Sequence, residues 1–169
     1  MLYKIQGLQL MIIYTIDPGN EQSAFLVYDT DNNKFLQKEI MQNQLLSYDL
    51  KALKKSDDIL LIENIQCFGM AVGRTVFDTC IWIGRFIESW LSFYNDKDNN
   101  YFLINRRDIK LHFCEHPRAK DTNIRQALID RFGKPGTKNN PGFLYGIKKD
   151  LWSTVAITFY WVDNNLTMV

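Results

Sequence analysis

A continuous apolar run from Leu10 to Ile16 ends abruptly in Asp17-Pro18-Gly19-Asn20. Such a run reads as a strand buried on both faces, residues 10–16. Gln22 to Asp29 and residues 34–40 predict two more strands, joined by the turn Asp29-Thr30-Asp31-Asn32-Asn33, so the chain opens as an antiparallel meander. Residues 43–53 place Leu45, Leu46, Leu50 and Leu53 at helical spacing. The run Asp58-Ile59-Leu60-Leu61-Ile62-Glu63-Asn64 predicts a fourth strand over residues 58–63, again closed by an acid.

A loop with Gly69 and Gly73 leads to a long helix predicted over residues 75–94. Val76, Cys80, Ile83, Ile87, Trp90 and Leu91 share one of its faces. Phe77, Trp82, Phe86 and Phe93 lie on others, so the helix buries more than one side. Residues 95–100 are a polar turn, and residues 109–114, with partial alternation, predict a fifth strand. Asp121-Thr122-Asn123 offers caps for a helix carrying Ile124, Ala127, Leu128 and Phe132, with Gly133 as its stop. Residues 134–146 hold two Pro-Gly pairs and no periodicity, and a last helix is predicted over residues 150–162. The order is βββαβαβαα, an α/β architecture read as one domain over residues 1–169.

Composition narrows the class. With 46% hydrophobic and 23% charged residues, the chain has the balance of a globular domain. No apolar stretch reaches the length of a membrane span, and the first run leads into Asp17 without a small-residue cleavage site. Cys67, Cys80 and Cys114 are widely spaced, which fits a reducing cytoplasm rather than a zinc site or disulfide framework. The net charge of +1 hides an asymmetry: residues 106–149 hold 11 Lys and Arg against 4 acids. A basic block in an otherwise acidic chain is a phosphate-binding footprint or a solvated surface.

The two acid-terminated runs carry the chemistry. Two buried strands that deliver carboxylates at the same end bring Asp17 and Glu63 together, where ligands gather in open α/β sheets. Close carboxylates repel unless a cation holds them, and hard oxygen ligands suit Mg²⁺ or Mn²⁺. Plainer readings stay open: Asp17-Pro18-Gly19 as a hairpin turn, Glu63 paired with an Arg, and Asp150 as a helix cap.

The strand ending in Asp17-Pro18-Gly19, the strand ending in Glu63, and the segment Asp150-Leu151-Trp152-Ser153-Thr154-Val155-Ala156-Ile157-Thr158 resemble the RuvC group of Holliday-junction endonucleases. The nearer likeness is to divergent bacteriophage RuvC-like proteins. It is carried by Arg118-Ala119-Lys120-Asp121-Thr122-Asn123-Ile124-Arg125, with Phe132-Gly133 closing that helix, and by Gly146-Ile147-Lys148-Lys149-Asp150-Leu151-Trp152-Ser153. The resemblance covers roughly residues 10–162. It implies an RNase H-like fold, a five-stranded mixed sheet with helices on both faces. It also implies a crossover-junction endonuclease hydrolysing phosphodiester bonds in branched DNA with two Mg²⁺ or Mn²⁺ ions.

On this resemblance Asp17, Glu63 and Asp150 are the catalytic and metal-holding acids. The family's further acid or histidine, three residues before Asp150, is here Ile147, and Asp121 is a candidate replacement ligand or simply the cap of its helix. Phe68, in the loop after Glu63, is the aromatic available to stack on a base, although it departs from the family's spacing. Arg74, Arg118, Lys120, Arg125, Lys148 and Lys149 are candidate DNA contacts, and Arg106, Arg107 and Lys110 belong to the same basic block. A homodimer through the helix around residues 75–94 is expected, with Phe77, Trp82 and Phe86 as anchors, in the cytoplasm of a bacterial or phage-infected cell. The competing classes are a non-catalytic RNase H-fold binding module, a flap or fork nuclease, and half of an actin-like kinase or ATPase. That last class leaves Glu63 and Asp150 unexplained.

Overall fold

A computed structural model describes residues 11–53, 57–67, 69, 71–91 and 100–166 of the 169-residue chain. The elements run β1 (Ile12–Asp17), β2 (Gln22–Asp29), β3 (Lys34–Gln42), α1 (Asn43–Leu53), β4 (Ile59–Asn64), α2 (Arg74–Leu91), β5 (Tyr101–Asn105), α3 (Arg106–Cys114), α4 (Asp121–Phe132) and α5 (Leu151–Asn165). The sheet order is β3-β2-β1-β4-β5. The first three strands pair antiparallel, while β4 lies parallel to β1 and β5 parallel to β4.

Alternation along the strands sorts the two faces. Ile13 and Leu61 point to one side, where they join Val155, Ile157 and Phe159 of α5. Ile12, Tyr14, Ile16, Leu60 and Ile62 point to the other, against Leu46 and Leu50 of α1 and Ile83, Phe86 and Trp90 of α2. Helix α5 is buried around most of its circumference. Its Thr158 hydroxyl meets the Thr15 hydroxyl of β1 at 2.7 Å, which satisfies two polar groups in the core. Near the end of α5, the Asp163 carboxylate takes two hydrogen bonds from Arg131 of α4 and one contact from His112 of α3. Burial works to raise that carboxyl, but these bonds and charges outweigh it and hold it below the usual range.

The fifth strand lies elsewhere than expected. Residues 109–114 are part of α3, and the strand is Tyr101–Asn105. The apparent alternation of Ile109, Leu111 and Phe113 was misleading, because Leu111 is exposed. Ile109 and Phe113, four apart, both pack on the core, as one helix face does. One more helix therefore follows β5. The face of α2 differs in part from the expected one: Ile83 and Trp90 are buried as expected, but Phe86 is fully buried with them, whereas Cys80 is exposed. Phe86 is thus a core residue and not an interface anchor.

Candidate active site

Residues Ile16 and Ile62 are partners across the parallel β1–β4 pair. Asp17 and Glu63 are the next residue on each strand, so they stand side by side at the carboxyl ends, with neighbouring strands about 4.8 Å apart. Both continue the face that carries Thr15 and Leu61, and so both face α5.

The turn after Asp17 is built rather than loose. The Gly19 N–H donates to Ser23 Oγ at 3.2 Å, and the Ser23 hydroxyl donates to Asn43 Oδ1 at 2.6 Å. Asn43 Nδ2 closes the ring by donating to the Gly19 carbonyl at 2.9 Å. A Cβ on Gly19 would lie 2.2 Å from the Gln22 carbonyl oxygen, so only glycine fits the turn. Ser23 and Asn43 are buried, and sequence reading missed both.

Helix α5 brings the third element. Asp150 sits at its N-cap position, exposed, in helical geometry and without a side-chain capping bond, so the plain capping reading does not describe it. One turn further on, the Ser153 hydroxyl donates to Glu63 Oε2 at 2.7 Å. The charges of these acids reach one another. Burial first, and then the charge of Glu63, push the Asp17 carboxyl up to about 7; the charge of Asp150 adds to this, against Arg106 and a Ser153 hydrogen bond that pull it down.

Arg106, the first residue of α3, lies among these groups. Its Nη1 donates to Glu63 Oε2 at 3.0 Å and to Ser153 Oγ at 2.6 Å, and its Nη2 meets Asp121 Oδ1 at 2.6 Å. Burial opposes its charge, but Glu63, Asp121 and Asp17 outweigh that and raise its pKa. The expectation that Arg106 belongs to a phosphate-gripping block is corrected: its guanidinium is spent on the acids. The signal was hidden by the misplaced fifth strand, since the residue after Asn105 stands at the carboxyl end of β5, beside Glu63.

The remaining predicted residues lie on several elements. Asp121 is 72% exposed at the start of α4 and joins through Arg106. Ile147 is buried in the core and offers no oxygen from its side chain. Arg118 and Lys120 are exposed and line an open hollow of about 480 Å³ with His116 and Asn123. Arg125 stacks over Trp152, 4.6 Å from the ring, beside the crevice that shows Arg106 and Ser153. Lys148 and Lys149 are exposed immediately before Asp150. Arg74 is exposed at the start of α2, with Asp78 at 3.7 Å. Phe68 lies outside the described residues.

Among the described residues no three His, Cys, Asp or Glu side chains gather into a ready-made metal cage. The donor set nevertheless suits a hard cation. Asp17 is a carboxylate that burial and neighbouring acids disfavour, next to Glu63 and within electrostatic reach of Asp150. A divalent ion there would offset the charges of Glu63 and Asp150, which add to burial in raising Asp17.

Comparison of the sequence with protein-family models and with curated proteins finds no match. Comparison of the fold finds clear ones. The chain superposes on the Thermus thermophilus RuvC structure with a TM-score of 0.62 at 10% identity, over 92% of this chain and 98% of that one. It superposes on T. thermophilus RuvC in complex with Holliday junction substrate with a TM-score of 0.61 at 11% identity, over 89% and 92%. The chain has the RNase H-like fold of RuvC.

Proposed function

We propose that this RuvC-fold chain is a divalent-cation-dependent DNA endonuclease that cuts branched DNA, a Holliday-junction resolvase. The observation that carries the reading is the placement of Asp17 and Glu63 side by side at the sheet's carboxyl edge, facing the start of α5, in a fold that matches RuvC over nearly its full length. Asp17, Glu63 and Asp150 would hold Mg²⁺ or Mn²⁺. The ion, when bound, lowers the pKa of a coordinated water and offsets charge developing on the phosphoryl group. Ser153 and Arg106 fix the Glu63 carboxylate through its Oε2, which preorganises the acid without further cost at the moment of reaction.

Exposed cations would supply grip. Arg118 and Lys120 precede α4, Arg125 lies on it, and Lys148 and Lys149 precede Asp150; there they would neutralise phosphates of the bound DNA. A four-way junction offers two symmetric strands, so one site per chain calls for a two-fold dimer. We place its contact on α2, where Phe77 is 59% and Ile81 55% exposed and Trp82 lies under the Arg85 guanidinium.

The test is cleavage of matched junction, flap, fork and linear substrates in Mg²⁺. The junction should be cut fastest, in opposed strands. Preference for flaps or forks with intact junctions would make the chain a general branch nuclease. No cutting of any substrate, with DNA still bound, would support the non-catalytic binding module.

A further inference from the structure

We propose that Arg106 is a permanent cation of the acidic centre, taking up carboxylate oxygens that a second metal ion would need, so that the chain holds one divalent ion and not two. This rests on the divalent-ion reading of the site. The guanidinium is tied to three elements at once: Glu63 of β4, Ser153 of α5 and Asp121 of α4. The residue before it is tied as well. Asn64 Nδ2 donates to Asn105 Oδ1 at 3.0 Å, and Asn105 Nδ2 donates to Asp108 Oδ2 at 3.0 Å, so the β5–α3 junction that launches Arg106 is clamped to β4. An arginine held at its base and its tip is part of the site's architecture.

The oxygen supply agrees. Glu63 Oε2 already accepts from both Arg106 and Ser153, and Asp121 is drawn toward the guanidinium. Asp17, Asp150 and the other Glu63 oxygen remain for an ion, which serves one hard cation better than two. At the position three before Asp150, Ile147 is turned into the core and supplies no ligand. Charge agrees too. With Asp121 counted, four carboxylates face one divalent ion and Arg106, which leaves a balance of −1. A second divalent ion would turn the balance to +1 and lie against the guanidinium, a repulsion that low local dielectric strengthens.

The experiment is a Mn²⁺ titration of the DNA-free protein by calorimetry, with electron paramagnetic resonance reading whether bound ions are close enough to couple. The wild type and Arg106→Lys, which keeps the charge, should each bind one ion with the spectrum of an isolated centre. Arg106→Ala and the bulkier Arg106→Gln should admit a second, magnetically coupled ion, its midpoint about tenfold or more below any second-ion midpoint of the wild type. Circular dichroism confirms which neutral variant is folded, and the ion count of the wild type stands without either. Two coupled ions in the wild type overturn the proposal, as does a single ion in a folded neutral variant. No bound ion in the wild type, with Asp17→Asn giving the same trace, overturns instead the divalent-ion reading beneath it.

Discussion

Replacing Asp17 by Asn should stabilise the ion-free protein at neutral and alkaline pH. The carboxyl is pushed up to about 7 in the folded chain, by burial and by Glu63, and titrates near 3.9 when unfolded. The folded state therefore keeps a proton that the unfolded chain releases. Its stability falls as pH rises from about 4 to about 7, and the full penalty stands above 7. Roughly three units at about 1.36 kcal/mol each set a ceiling near 4 kcal/mol. Asp17 is half-buried, and screening by solvent reduces this to about 2 kcal/mol. Asn keeps the shape and sheds the charge, so Asp17→Asn should gain about 2 kcal/mol at pH ~8 and almost nothing at pH ~4. Urea unfolding in EDTA at the two pH values measures it, read from the midpoint at unchanged slope. Adding Mg²⁺ should then raise the wild type and leave the variant where it was, because only the native site binds the ion. If Asp17→Asn is no more stable than the wild type at pH ~8 without divalent ions, the crowded-acid account is wrong.

Three further outcomes are expected. Asn43→Ala leaves the Ser23 hydroxyl and the Gly19 carbonyl without their partners and should cost about 2–4 kcal/mol, with junction cleavage falling under conditions where the variant is still folded; a loss under about 0.5 kcal/mol by urea unfolding would show that the ring does not hold the turn. A double Arg118→Ala, Lys120→Ala variant should lower the slope of log affinity for junction DNA against log salt by about two units, and an unchanged slope removes these residues from the interface. Sedimentation at micromolar concentration should find a dimer, and Phe77→Ala with Trp82→Ala should dissociate it, each truncation costing about 2 kcal/mol or more; a monomeric wild type refutes the α2 contact.

Much of this molecule was legible because its informative segments are buried. The two aliphatic runs that end in Asp17 and Glu63 became adjacent parallel strands, since a run apolar on both faces fits only the middle of a covered sheet. The helix Asp121–Phe132 stops at Gly133, whose φ of +86° suits glycine. What was not legible depended on pairing. Tyr101–Asn105 is a short edge strand with Phe102 and Leu103 exposed, so its pattern carries little period, and the neighbouring helix imitated a strand through Leu111. Phe86 could not be told from Phe77 until α1 and the sheet fixed which side of α2 faces in. Arg106, Ser153, Ser23 and Asn43 come from different elements and meet only through the register of β4 with β5 and the docking of α5 and α1. No linear spacing encodes those contacts.

The central claim is that the acids at the end of β1, at the end of β4 and at the start of α5 form a nuclease centre for branched DNA. The most direct measurement is denaturing-gel mapping of a synthetic four-way junction incubated with Mg²⁺ and either wild type or Asp17→Asn. The account predicts paired cuts in opposed strands by the wild type, and a loss of about 10²–10³-fold or more in Asp17→Asn, with junction binding retained. Cleavage by Asp17→Asn at the wild-type rate, or an intact junction under folded, DNA-bound wild type, would contradict it.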